Sequence, residues 1–163
     1  MLKEVASKSF SLVTGGQSGV DRAALDAALS LGIPYSGWCP KGGWAEDFKR
    51  PPGVLLKYPN LKPTPETGTE QRTLWNVRDS EASIVLSFAA SISPGTEVGA
   101  REALRLGKPC LQLYLDNPDS LSSAAELISS LEPDTRLSVG GPRESESPGI
   151  YSASLSFLLA VLG

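Results

Sequence analysis

Residues 10–34 read FSLVTGGQSGVDRAALDAALSLGIP, and this stretch decides the fold. Phe10–Thr14 is a short apolar and hydroxyl-bearing run with the composition of a strand. Gly15, Gly16 and Gly19 punctuate a turn, and Val20–Leu31 then sets Ala24, Leu25, Ala28 and Leu31 at helical spacing. Gly32 can close the helix in the left-handed conformation, and Pro34 cannot continue it. The same ending recurs: residues 28–34 are ALSLGIP and residues 103–109 are ALRLGKP. Two strand–turn–helix units therefore end alike.

Working outward, further strands are predicted at Ile33–Cys39, Ala82–Phe88, Pro109–Leu115 and Arg136–Val139. Helices are predicted at Thr69–Asp79, Glu97–Leu106, Ser120–Leu131 and Tyr151–Leu162. Such alternation predicts an α/β chain: one Rossmann-like, doubly wound, mostly parallel sheet of five or more strands with helices on both faces. A length of 163 residues suits a single ligand-binding domain and buries enough surface to need no disulfide or structural metal. The segment from Gly37 to Gly68 holds six Pro and five Gly in 32 residues, so about 40–68 reads as a lid-like loop.

Composition removes several chemistries. With no histidine, imidazole catalysis, Ser-His-Asp triads and His-ligated metals are excluded. Two cysteines, Cys39 and Cys110, are too few for a zinc site and read as free thiols in a reducing cytosol, so no protein-bound metal is expected. Fifteen Lys plus Arg against eighteen Asp plus Glu give −3, the wrong sign for general nucleic-acid binding. MLKEVASKSF lacks the apolar stretch of a signal peptide, and Leu155–Leu162 is too short to span a bilayer, so a cytoplasmic protein without membrane contact is expected.

In an open parallel sheet, ligands bind beyond the carboxyl ends of the strands. Four of the five predicted ends carry glycine-rich, hydroxyl-rich or cationic turns: Gly15–Arg22, Trp38–Gly43, Ser91–Glu97 and Gly140–Ser145. The first matches neither GxGxxG nor the Walker pattern. Even so, a phosphate-like anion on the backbone N–H groups of Gly16–Val20 is expected, because a glycine-rich turn opens a helix there. Lys41 lies in the second turn. Arg72, Asn76 and Asp79 share one helical face within about 60°, which serves binding or solvation equally. Trp38, Trp44 and Trp75 suit ring stacking or core packing, and Cys39 sits at the ligand-side end of its strand. Arg143 suits bidentate capture of a phosphate, or an ion pair with Glu144, Glu146 or Asp21.

Gly15–Asp26 (GGQSGVDRAALD), Gly37–Gly42 (GWCPKG), Gln71–Ser80 (QRTLWNVRDS), Gly107–Leu111 (GKPCL) and Gly141–Tyr151 (GPRESESPGIY) together resemble the family of proteins named as molybdenum carriers. That family is a circularly permuted, YpsA-like branch of the SLOG nucleotide-binding superfamily, which also holds the cytokinin-activating phosphoribohydrolases and DprA. The resemblance implies a homo-oligomer, dimer or tetramer, with a pocket for the molybdenum cofactor (molybdopterin) or another nucleotide-like anion. It places contacts at Gly15, Gly16, Gln17, Ser18, Gly19, Asp21, Arg22, Gly95 and Thr96. Lys41, Arg72, Asn76, Glu97 and Arg143 join them from the residue reading. The enzymatic relatives carry an acid three residues after the threonine; here that position is Gly99, and only Glu97 or Glu102 could stand in. The expected function is therefore carriage of a small phosphorylated heterocycle. The alternative is a nucleotide-processing hydrolase that cleaves a ribosyl bond, with Glu97 or Asp21 as acid/base and Arg22 or Arg143 on the phosphate.

Overall fold

Every residue of Ala82–Ser87 is buried, the signature of a strand covered on both faces, and the sheet is built around it. The structure, a computed structural model, describes residues 9–90 and 94–163. Ser91–Ser93 of the third predicted turn, and residues 1–8 of the leader reading, lie outside the described residues. In chain order the elements are β1 (Phe10–Val13), α1 (Val20–Leu31), β2 (Tyr35–Ser36), β3 (Trp38–Cys39), β4 (Lys62–Pro63), α2 (Thr69–Arg78), β5 (Ala82–Ser87), α3 (Pro94–Arg105), β6 (Cys110–Tyr114), α4 (Ser120–Ser130), β7 (Thr135–Gly140) and α5 (Ile150–Leu162). Five strands form one all-parallel sheet in the order β2-β1-β7-β5-β6. Entering the chain at β5 instead of β1 turns this into 2-1-3-4-5, the flavodoxin-type doubly wound order. The sheet is thus a circular permutation of that arrangement, with its switch point between β5 and β7.

Large side chains fill one face. Leu12, Ile84, Leu86, Leu137 and Val139 pack with α1, α4 and α5 in the main core. Alternation along the strands sends Ser83, Ser138 and Gly140 to the opposite face, where α2 and α3 pack together. Small residues there leave room beneath the helices. The two ALxLGxP stops are equivalent: Gly32 and Gly107 both have φ 68°, and the N–H groups of Ile33 and Lys108 donate to Ala28 O and Ala103 O at 2.9 Å each.

Ile33–Cys39, predicted as one strand, is two. β2 pairs with β1, whereas β3 leaves the sheet to pair with β4. The break falls at Gly37, whose φ is 144° and where a Cβ would lie 2.0 Å from Thr14 O. Segment 40–68, the lid-like loop of the sequence reading, carries packed side chains of its own. Cys39, Ala45, Val54, Tyr58 and Leu61 form a second core with Leu25 of α1. Tyr58, fully buried, donates its hydroxyl hydrogen to Asp26 Oδ1 at 2.5 Å. Among the described residues no helix is long and apolar enough to cross a membrane.

Candidate ligand-binding site

At the switch point the carboxyl ends of β1 and β7 and the first half of β5 meet α2 and the first turn of α3 around a cavity of about 210 Å³. Ser83 and Ser138, register partners on adjacent strands, lie on its sheet side, together with Thr14 at the end of β1. Thr69, Arg72, Thr73 and Asn76 line it from α2, Gly95 and Thr96 from α3, Gly140 from the end of β7, and Gly141, Arg143 and Glu146 from the turn that follows. Gly15, Gln17, Asp21 and Trp44 complete the wall.

Its charges come in pairs. Asp21, 3 % exposed, holds Arg72 Nη1 at 3.0 Å and accepts the Gln17 N–H at 3.3 Å. Burial lifts its carboxyl above the ordinary value, with Arg72 the main opposing influence. Arg143 donates through Nε to Glu146 Oε1 at 3.1 Å. Among the described residues of the wall, Thr14 Oγ1 and Arg72 Nε are buried without a hydrogen bond, and an unmet buried donor or acceptor costs about 1–3 kcal/mol.

Of the predicted site residues, the structure gathers Gly15, Gln17, Asp21, Arg72, Asn76, Gly95, Thr96 and Arg143 around the cavity. Gly16, Ser18, Gly19, Arg22, Lys41 and Glu97 are not in its lining. Arg22 points into the second core's side of α1, where Nη1 and Nη2 grip Asp47 at 2.7 and 2.8 Å, Nη2 donates to Gly16 O, and the guanidinium covers the Phe48 ring. Ser18 donates to Glu46 and accepts the Glu144 N–H. Glu97 is exposed on α3, and Lys41 lines a neighbouring pocket. Three of the five backbone donors expected to receive an anion are already engaged: Gln17 N–H by Asp21, Ser18 N–H by Gln17 Oε1, and Val20 N–H by Pro142 O. The glycines of this turn admit other parts of the chain. Arg72 Nη1 lies 2.4 Å from where a Cβ at Gly15 would stand.

Asn76 spends both ends of its amide on Trp38, accepting its N–H at 2.7 Å and donating to its carbonyl at 3.0 Å. Trp38 and Trp75 pack edge-to-face at 4.7 Å, and Asp79 accepts the Trp38 indole N–H at 2.7 Å. Of the three tryptophans only Trp44 lines the cavity. Cys39 is buried, and burial pushes its thiol up to about 11, so it is inert core. Sequence reasoning missed Thr14, Thr69, Thr73, Ser83, Ser138 and Glu146. For Ser83 and Ser138 the signal is the register that sets them side by side, which local sequence does not show.

The Arg22–Asp47 pair gives a pH signature. Hydrogen bonds from Arg22 hold the Asp47 carboxyl below its ordinary value despite partial burial. A folded pKa below the unfolded one, about 3.9, adds stability above that value and loses it as pH falls through the folded pKa. Asp47→Asn is expected to be less stable at pH 7 and to show a shallower stability loss between pH 4 and 3, read by urea unfolding across that range.

The permuted doubly wound sheet thus carries a cavity at its switch point, the place where sheets of this kind take ligands. The sequence profile of the circularly permutated YpsA SLOG family matches residues 12–162, and the chain belongs to that family. A solved structure named "Putative molybdenum carrier protein", from Syntrophus aciditrophicus SB, is 35 % identical over 96 % of each chain, with a TM-score of 0.81. None of the curated proteins matches the chain.

Proposed function

We propose that this chain binds and carries a small phosphorylated heterocycle, molybdopterin or a nucleotide, in the switch-point cavity. The observation that carries this reading is the switch-point cavity itself, walled by Arg72 and Arg143, by Thr14, Ser83 and Ser138, and by the first turn of α3. The phosphate goes to the first turn of α3, where the helix dipole favours an anion, with Arg72 and Arg143 as flanking cations. The ring's polar edge meets Thr14, Ser83 and Ser138. The name of the Syntrophus protein supports a molybdenum-related cargo. The donor set of hydroxyls, guanidinium and amide suits hydrogen bonding to a pterin or base more than direct metal ligation. Among the described residues no group of three or more Cys, Asp or Glu is placed to hold a metal ion. In this reading the protein works in the cytoplasm as a homo-oligomer.

Calorimetry with AMP, GMP, CMP and molybdopterin tests it. Binding of at least one of them, at one site per chain, is expected; no binding across the panel overturns the reading. Release of free base from a nucleotide would instead make the protein a hydrolase. Thr14→Val separates site from scaffold. Because it removes an unpartnered hydroxyl, it should leave the melting temperature unchanged or raised, while weakening the ligand about tenfold.

A further inference from the structure

We propose that the site has a second, outer compartment and takes a pyrophosphate-bridged ligand of dinucleotide size, whose outer nucleotide lies over Lys41 and Lys49; this rests on the ring-and-phosphate reading of the inner cavity. A pocket of about 470 Å³ containing both lysines adjoins that cavity, and Trp44 and Thr69 line both. The inner cavity, about 210 Å³, is smaller than the roughly 300–1,000 Å³ of most small-molecule sites. The two compartments together fall within that range. Trp44 stands at the junction, where an indole face can take an outer base.

Charge is segregated to match. Among the described residues neither Lys41 nor Lys49 forms an ion pair. Two of the three acids of segment 40–68 are engaged elsewhere: Glu46 accepts from Ser18 and Ser145, and Asp47 holds Arg22, while Glu66, whose carbonyl accepts the Lys41 N–H, forms no ion pair with either lysine. The outer pocket thus presents two lysines without an ion-pair partner. Its shape is fixed by the backbone without a ligand. A Cβ at Gly43 would lie 2.1 Å from Pro52 O, and one at Gly53 2.1 Å from Gly43 O. That pinch holds the stretch containing Lys41 against the stretch that follows Lys49.

The test compares each monophosphate with its pyrophosphate-bridged extension: AMP with diadenosine pyrophosphate, GMP with diguanosine pyrophosphate, CMP with dicytidine pyrophosphate, and molybdopterin with its GMP-extended form. For whichever ring binds, the extended form is expected to bind about tenfold tighter or more, a preference that shrinks as salt rises. Lys41→Gln/Lys49→Gln should erase the preference while keeping monophosphate affinity within about twofold. Equal affinity for both forms, equal weakening of both by the double variant, or a preference that survives it overturns the outer compartment and leaves the inner-site reading standing. If no compound binds, both fall.

Discussion

Gly19→Ala is expected to lower the melting temperature by about 10 °C, a loss of roughly 3–5 kcal/mol. Gly19 precedes α1 with φ 78° and ψ −129°, a conformation that side chains rarely adopt. A Cβ there would also lie 2.3 Å from Pro142 O and 2.8 Å from Glu144 N. Neither neighbour can yield cheaply, because Pro142 O accepts the Val20 N–H and Glu144 N–H donates to Ser18. The variant must open the joint between the turn after β1 and the turn after β7. Thermal unfolding followed by circular dichroism reads the shift; a change under about 2 °C would mean that the two turns are not locked together in solution.

Arg72→Met should cost a similar amount for a different reason. The substitution leaves Asp21 buried without its cation, and breaking a buried ion pair on one side costs about 3–5 kcal/mol. The pH dependence identifies the cause. Burial already raises the Asp21 carboxyl, and without Arg72 it rises further. A folded pKa above the unfolded one gives stability that is present at low pH and lost as pH rises through the folded value. Arg72→Met should therefore gain stability on acidification relative to the unaltered chain, and Asp21→Asn added to it should recover much of the loss at pH 7. Urea unfolding of the single and double variants at pH 5 and pH 8 checks both points. A pH-independent loss would assign the effect to lost packing.

The architecture was legible where short-range chemistry dictates it. The helix stops at Gly32 and Gly107, the strand at Phe10–Val13 and the polar turns at the sheet edge all follow from local residues. The strand order was not, because β7 enters between β1 and β5 through pairings distant in sequence. The glycine turn was read as backbone bared for a ligand, whereas Gly15 is bared for Arg72 and Gly19 for Pro142. Arg22 could have been separated from Asp21 beforehand: neighbouring helical residues point about 100° apart, so both do not face one cavity. Ser83 and Ser138 escaped because a serine in a strand carries no distinctive signal until the register sets the two side by side.

The most direct test of the central claim is a crystal structure of the chain with the tightest-binding phosphorylated heterocycle from the calorimetric panel. The account predicts the ring in the cavity between β5, β7 and α2 against Ser83 and Ser138, and the phosphate at the first turn of α3 between Arg72 and Arg143. A ligand seated with its phosphate on Gly16–Val20, or bound elsewhere on the surface with Thr14 and Arg72 Nε still unpartnered, would contradict it.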